Sequence, residues 1–258
     1  MAVKVAAVTG GASGLGRLTA RRLADGGAQV ALLDVNEAGM AETAEGHDGV
    51  TCHRCDVSDA SDVQSTFTAI RDTLGPIDRV IHAAAIMPTR PLIELAPADV
   101  HRLSRIVYEG TVNVALTALP PMLARRGGQL VIYGSIAGYV PTPHMGAYCA
   151  AKAAVNSFTE VLIRENADSG VRILLVCPPM VDTPLLKQAQ ETSNPRSLQL
   201  GIEQNRLMKP EAVVDAVDKA LGGKKTILLP GGEARFVVAL RRFSPNLLWR
   251  LILKAESG

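Results

Sequence analysis

The chain has 258 residues, of which 47% are hydrophobic and 20% charged, as in a soluble globular protein of one large domain or two small ones. A net charge of +2 argues against general nucleic-acid binding, and no apolar run approaches the roughly 18 residues of a membrane span. The N-terminus runs straight into an apolar strand without a signal peptide, so we expect a cytoplasmic protein.

Short apolar segments rich in β-branched residues alternate with segments of helical periodicity. The predicted strands are 3–8, 29–33, 50–55, 78–82, 129–133, 172–177 and 226–229. The predicted helices are 14–26, 36–46, 59–74, 97–119, 146–169 and 210–221. This alternation predicts an α/β fold, a doubly wound, Rossmann-like parallel sheet that binds ligands at the carboxyl ends of its strands.

No repeat or low-complexity linker interrupts the pattern, so we predict a single domain over 1–231 and a basic helical appendix over 232–258. Residues 184–208 are polar, with Asn194-Pro195 in the middle, and do not fit the alternation. We interpret this segment as a mobile lid or substrate loop.

The first strand leads into a glycine-rich turn, TGGASGLG at residues 9–16, and then into the first helix. Glycines there permit a tight turn and close approach to a diphosphate, and the helix N-terminus supplies N–H donors and partial positive charge. In this position the cluster strongly indicates dinucleotide binding. We assign cofactor contacts to Gly10, Ser13, Gly14, Leu15 and Gly16.

Acidic residues end the second and third predicted strands. Asp34 stands where a carboxylate suits the ribose 2′-hydroxyl of NAD and repels the 2′-phosphate of NADP, although it could instead cap a helix before Asn36. It therefore favours NAD, with NADP the less favoured cofactor. Asp56 could contact the adenine amino group or cap the helix beginning near Ser58.

Cys52 and Cys55 have the C-x-x-C spacing of a zinc or redox pair. The chain has four cysteines and no second pair, whereas a zinc site needs about four ligands. We predict reduced, packed thiols and no metal site.

Ser135, Tyr148 and Lys152 form the candidate catalytic group. Ser135 follows an apolar strand, and Tyr148 and Lys152 are four residues apart, so that they share one helix face. A lysine ammonium one turn away would lower the tyrosine pKa and so make the phenol a proton carrier near neutral pH. The same pattern also fits an ordinary helix with an exposed lysine and a half-buried tyrosine.

With these motifs in this order, residues 3 to about 230 resemble the short-chain dehydrogenase/reductase family. The resemblance implies a nicotinamide cofactor and hydride exchange at a carbonyl or alcohol carbon. It implies Tyr148 as general acid/base, Ser135 as the partner of the substrate oxygen, and Lys152 as a ligand of the nicotinamide ribose. Further cofactor contacts are implied at Val57, Ala84, Pro178, Val181 and Thr183.

The chain departs from the family's usual sequence at three places. The run after the fourth strand is HAAA at 82–85, which looks like the family's extended and atypical branches. Val107 replaces an asparagine that helps to hold a water of the proton relay, and Pro178-Pro179 replaces Pro-Gly. We expect the relay to be rebuilt through Asn113, His82 or backbone carbonyls, or proton exchange to be slower.

Several apolar residues are predicted to border the substrate, which indicates an apolar substrate that is lipid-, steroid- or polyketide-like. They are Met87, Pro88, Met145, Met180, Leu185 and Leu186. His144, four residues before Tyr148, could contact the substrate or simply be solvated.

Residues 235–254 hold only basic charges, at Arg235, Arg241, Arg242, Arg250 and Lys254. They predict two short amphipathic helices hinged at Pro245. We favour docking on a partner or a second copy, with peripheral contact at a membrane surface as the second interpretation and a mobile tail as the third.

Together these features predict an NAD(H)-dependent oxidoreductase that interconverts a secondary alcohol and a ketone, as a homodimer or homotetramer by analogy with the family. One alternative is an NAD-binding scaffold or redox sensor with little turnover, which the loss of the asparagine at Val107 suggests. Another is an epimerase or dehydratase, although the chain is short for the separate substrate domain of the extended branch.

Overall fold

The computed structural model describes residues 3–257, so the first two residues of the predicted 1–231 domain and the last residue of the predicted appendix lie outside the described residues. A seven-stranded parallel sheet forms the centre, in the order β3-β2-β1-β4-β5-β6-β7. Its strands are β1 Val5–Thr9, β2 Gln29–Asp34, β3 Val50–Arg54, β4 Arg79–His82, β5 Gln129–Tyr133, β6 Arg172–Val176 and β7 Ile227–Leu228. The predicted doubly wound fold is confirmed.

Helices connect these strands and continue past the last one. They are α1 Gly14–Asp25, α2 Glu37–Ala44, α3 Ala60–Leu74, α4 Pro97–Ser104, α5 Gly110–Ala124, α6 Gly146–Glu165, α7 Pro184–Glu191, α8 Arg196–Glu203, α9 Pro210–Leu221, α10 Gly232–Phe243 and α11 Pro245–Ser257. None of the helices within residues 3–257 has the length and apolar character to cross a membrane.

The sheet is buried on both faces because helices pack against each of them, and successive side chains of a strand point to opposite faces. In β1, Val5 and Ala7 belong to one hydrophobic cluster, and Ala6 and Val8 belong to the other. The first cluster takes in apolar residues of α3, α5 and α6. The second takes in residues of α1, α2 and α9, which explains the near-continuous apolar strands of the sequence.

Two segments differ from the predicted elements. The predicted helix 97–119 is divided by a π-helical turn at Arg105–Glu109 that joins α4 to α5. The predicted loop 184–208 contains α7 and α8, separated near Asn194, whose φ is 44°. Both short helices bury apolar residues, among them Leu186 and Leu198, but their polar outer faces hide this periodicity in the composition.

The four cysteines are free thiols, and Cys55, Cys149 and Cys177 are buried as predicted. Cys52 is exposed, so the prediction of a packed thiol is wrong at that position. Burial raises the pKa of the Cys55 thiol to about 11, which keeps it protonated at neutral pH. Over the described part of the chain, no group of three or more histidine, cysteine or acidic side chains is arranged to hold a metal ion.

His82 at the end of β4 is buried and hydrogen-bonded on both ring nitrogens. Thr111 Oγ1 donates to the Val107 carbonyl (2.7 Å), so it accepts from His82 Nε2 (3.0 Å), and Thr9 Oγ1 donates to His82 Nδ1 (2.8 Å). Burial, with a smaller effect from the Lys152 charge, lowers the pKa of His82 to about 3. The neutral ring therefore fastens the ends of β1 and β4 to α5.

Candidate active site

One cavity of about 1310 Å³ lies where the carboxyl ends of the strands meet, as expected for an open parallel sheet. Every residue that the sequence analysis assigned to catalysis or cofactor binding lies on its wall. These residues are Gly10, Ser13, Gly14, Leu15, Gly16, Asp34, Asp56, Val57, Ala84, Ser135, Tyr148, Lys152, Pro178, Val181 and Thr183.

The glycine turn at the start of α1 leaves bare backbone on the cavity wall. Gly10 has a φ of +68°, and a Cβ there would lie 2.8 Å from the backbone of Ala83. A Cβ on Gly16 would overlap the carbonyl oxygen of Gly10. Only glycine fits these two positions, and the resulting recess in front of the α1 N-terminus suits the diphosphate of a dinucleotide.

Asp34 at the end of β2 is held by the backbone on both carboxylate oxygens. Oδ2 accepts from the Ala12 N–H at 3.1 Å and Oδ1 from the Asn36 N–H at 3.0 Å. The helix cap of α2 is Asn36, whose side chain accepts from the Gly39 N–H, so the capping alternative for Asp34 is wrong. The carboxylate is left on the cavity wall with a fixed orientation.

The wall beyond β3 is shaped by local hydrogen bonds. Asp56 Oδ1 accepts from the Ser58 backbone N–H (2.9 Å) and hydroxyl (2.7 Å), while Asp59 is the residue that caps α3. Asp56 therefore closes the turn before the helix. Asn113 on α5 donates to the Val57 carbonyl at 2.9 Å. This hydrogen bond fixes the wall and directs the side-chain amide of Asn113 to Val57 rather than to Lys152.

Tyr148 and Lys152 lie on one face of α6, and both are buried, at 5% and 4% exposure. Lys152 Nζ donates to the Tyr133 carbonyl at 2.6 Å and lies 5.9 Å from the centre of the Tyr148 ring. Ser135 follows β5 and reaches the same region of the cavity. The interpretation of an ordinary helix with an exposed lysine is therefore wrong.

Burial decides the protonation of this pair. It raises the pKa of Tyr148 well above the usual value, and a hydrogen bond with Ser135 opposes that rise. It lowers the pKa of Lys152 to about 8, an effect that the nearby Cys177 opposes. The expected lowering of the Tyr148 pKa is therefore wrong for this structure, because withdrawal of the phenol from water raises the pKa more than the hydrogen bond with Ser135 lowers it.

Asn156 contacts the candidate site but was not predicted from the sequence. It lies one turn after Lys152 on the same face of α6 and is 1% exposed. Its Nδ2 donates to the Ser135 carbonyl at 2.9 Å, and its Oδ1 accepts from the Ser135 N–H at 3.3 Å. Asn156 thus positions Ser135 from both sides, and its four-residue spacing after Lys152 was the signal that could have identified it.

The groups considered for a proton relay have different environments. Asn113 is bonded to Val57, and His82 is bonded to Thr9 and Thr111. Lys152 itself donates to a backbone carbonyl, that of Tyr133. Of the three alternatives, the backbone carbonyl is the one that contacts the lysine in this structure.

Apolar side chains form part of the cavity wall, together with polar ones such as Gln188 and Arg105. The apolar ones include Met87, Met145, Met180, Leu185 and Leu186, as the sequence analysis expected. Pro88 lies off this wall. His144 is instead part of a loop contact, with Nδ1 3.2 Å from the Ser193 hydroxyl and its carbonyl accepting from the Arg90 N–H.

The C-terminal appendix also contributes to the cavity, which the sequence analysis did not foresee. Ala234 and Val237 of α10 lie on the wall beside Ser197 and Leu198 of α8. Helices α8 and α10 are separated in the chain by α9 and β7, and no sequence motif indicates a shared cavity, so only the folded arrangement brings them together.

Comparison with known proteins agrees with this geometry. A family model described as short chain dehydrogenase matches residues 4–194. Carbonyl reductase family member 4 of Xenopus laevis is 31% identical over 218 residues, which are 83% of this chain and 89% of that protein.

Solved structures are similar over most of their length. A short-chain dehydrogenase/reductase from Burkholderia phymatum in complex with NAD has a TM-score of 0.83 and 28% identity, over 95% of each chain. A single-residue variant of actinorhodin polyketide ketoreductase with NADPH has a TM-score of 0.80 and 25% identity, over 90% of this chain and 97% of that one. The two similar structures thus contain different nicotinamide cofactors.

The positioning of Ser135 by Asn156 can be tested by mutation. We expect Asn156→Ala to lower kcat about tenfold, because Ser135 loses both side-chain anchors, while the Kd of the nicotinamide cofactor changes less than about twofold. Asn156→Asp keeps the acceptor and loses the donor, so it should fall between. Steady-state kinetics and a fluorescence titration of the reduced cofactor measure the two quantities.

Thr159→Ala provides the matched control, since Thr159 is equally buried on α6 and donates only to the Val155 carbonyl. If Asn156→Ala lowers kcat no more than Thr159→Ala does, Asn156 has no positioning role.

Proposed function

Because this chain belongs to the short-chain dehydrogenase/reductase family of oxidoreductases, we propose that it is an NAD(H)-dependent enzyme that interconverts a secondary alcohol and a ketone. One observation carries the proposal. A single cavity connects the bare glycine turn to the buried Ser135, Tyr148 and Lys152. A cofactor in the glycine recess and a substrate beside Tyr148 would therefore share one continuous space.

A bound nicotinamide would supply the hydride acceptor or donor at the substrate carbon. In alcohol oxidation, Tyr148 as the phenolate accepts the hydroxyl proton, and the Ser135 hydroxyl orients the substrate oxygen. The Lys152 ammonium stabilises the phenolate. In ketone reduction, Tyr148 as the phenol donates the proton, which is the form that burial favours.

Two features support NAD over NADP. The fixed Asp34 carboxylate on the wall would accept a hydrogen bond from a ribose hydroxyl and repel a 2′-phosphate. Arg17, a cation in α1 near this site, is already engaged with the carbonyls of Ala12 and Gly39 and with Glu42 at 2.8 Å. It is therefore not available to neutralise a phosphate.

The substrate that fits best is apolar and of moderate size, of a lipid-, steroid- or polyketide-like kind. The methionines and leucines of the cavity wall support this, since flexible thioethers adapt to varied apolar shapes. The likeness to a polyketide ketoreductase is consistent with it.

We also propose how the parts of the chain divide the work. Residues 1–231 would carry cofactor binding and chemistry, with 184–208 shaping the substrate end, and the enzyme would act as a homodimer or homotetramer in the cytoplasm. The competing function is an NAD-binding scaffold or sensor, which Val107 in the relay position favours. The buried Lys152 argues against this alternative. Burial of an ammonium lowers the stability of the protein, and a scaffold without catalytic activity would not need it.

Tyr148→Phe tests the chemistry directly. We expect turnover to fall by about three orders of magnitude, because the proposed general acid/base is removed, while NAD binding is retained within a factor of about two. The measurement is stopped-flow detection of NADH with a panel of secondary alcohols. An undiminished rate of turnover in the variant would contradict the mechanism. If the wild type produces no NADH with any alcohol, the result would favour the NAD-binding scaffold.

Asp34→Asn tests cofactor choice. Loss of the charge should weaken NAD binding about tenfold and reduce the preference for NAD over NADP by a similar factor or more, because the repulsion of the 2′-phosphate disappears. Titration of both cofactors gives the ratio. The control is Asp59→Asn, which removes a charge from the same cavity wall but retains a good helix cap. Equal ratios in both variants would contradict the role of Asp34.

A further inference from the structure

The two C-terminal helices present large apolar side chains to solvent. Phe236 and Phe243 on α10 are 68% and 79% exposed, and Leu247 and Leu251 on α11 are 48% and 51% exposed. Their spacings of seven and four residues place each pair on one side of its helix. We call the solvent side of α10 and α11, which carries these four residues, the C-terminal face. An apolar patch of this kind marks a contact surface.

Exposed cations stand beside these apolar residues on the C-terminal face. Arg235 and Arg242 precede the two phenylalanines, Arg250 precedes Leu251, and Lys254 follows one turn later. Within residues 3–257 these four cations form no ion pair with a carboxylate. Aromatic and leucine side chains flanked by arginine and lysine are the pattern of a helix that lies in a lipid interface.

The helices α10 and α11 that carry the C-terminal face are joined to the rim of the active-site cavity at two points. In α11, the Glu256 carboxylate accepts from the backbone N–H groups of Arg196 and Ser197, both at 3.0 Å, at the start of α8. In α10, Val237 lies on the cavity wall itself. The helices are therefore fixed to the folded domain beside the substrate end, which argues against the mobile-tail interpretation.

We propose that the C-terminal face binds the surface of an anionic lipid bilayer. The exposed cations match the phosphate charge of such a surface, and the phenylalanines and leucines can enter the apolar zone below it. A second copy of the chain fits less well, because a two-fold contact would bring the arginines of one face against those of the other without acids to pair them.

Binding in this orientation would bring the substrate end of the cavity close to the bilayer. An apolar alcohol or ketone dissolved in the bilayer would then be concentrated near the methionine- and leucine-containing wall. This consequence rests on the proposed function, whereas lipid binding itself does not.

Vesicle sedimentation of the full chain tests the proposal without cofactor or substrate. Vesicles of phosphatidylcholine with about 30% phosphatidylglycerol are compared with vesicles of phosphatidylcholine alone, each at low and at high salt. We expect wild-type binding only to the anionic vesicles, and weaker binding at high salt. The double variant Arg242→Gln/Arg250→Gln should bind more than about tenfold more weakly, at about fivefold for each cation near the surface.

The matched control is Lys224→Gln/Lys225→Gln, which removes two exposed cations from the segment before β7 and should bind within about twofold of wild type. The variant Phe236→Ser/Phe243→Ser tests the apolar part and should also lose more than about tenfold. Thermal melting and gel filtration are run on every variant. Equal wild-type binding to both vesicle types, or none, overturns the proposal. A second outcome also overturns it: the wild type is an oligomer, and Phe236→Ser/Phe243→Ser dissociates that oligomer without changing vesicle binding. That outcome would show that the C-terminal face contacts a second copy of the chain.

Discussion

The hydrogen bond from the Lys152 ammonium to the Tyr133 carbonyl is the interaction on which the site depends. It holds a charge inside the protein at the end of β5, where burial lowers the pKa of the lysine to about 8. Burial lowers the pKa of His82, whose neutral ring fastens β1 and β4 to α5, and the same charge adds a smaller lowering. That charge also opposes the rise that burial imposes on the pKa of the Cys177 thiol. The Lys152 ammonium thus affects the protonation of the buried groups around it.

Helical spacing turns that cation into part of a larger arrangement. Tyr148, Lys152 and Asn156 recur every four residues on the buried face of α6, so one helix supplies the proposed proton carrier, the charge beside it and the amide that hydrogen-bonds to Ser135. Rigid elements hold all four groups, which is the condition for a preorganised site. The cofactor side is equally constrained, because Gly16 leaves no room for a side chain.

The sheet, its order of elements and the cavity wall could be predicted from the sequence because they depend on local patterns. The glycine turn between strand and helix can be recognised in the sequence at Gly16, and so can an acidic residue at the end of a strand. Interactions between distant segments could not be predicted from the sequence. Three features arise only when separate elements pack together around the cavity. They are the hydrogen bonds between Asn156 and Ser135, the position of Val237 on the cavity wall and the raised pKa of Tyr148. Helices α7 and α8 were missed because their apolar faces are only a few residues long.

The central claim is that Tyr148 carries the proton beside a charged Lys152, and the pH dependence of kcat/KM for alcohol oxidation at saturating NAD tests it most directly. Burial keeps Tyr148 as the phenol, so between about pH 6 and 8 the oxidation rate should rise about tenfold per pH unit, as loss of one proton requires. Near pH 8 the rise should level off as Lys152, whose pKa is lowered to about 8, loses its charge. Ketone reduction, which uses the phenol, should stay flat over the lower range. An oxidation rate that does not change over that range, about pH 6 to 8, would contradict the account.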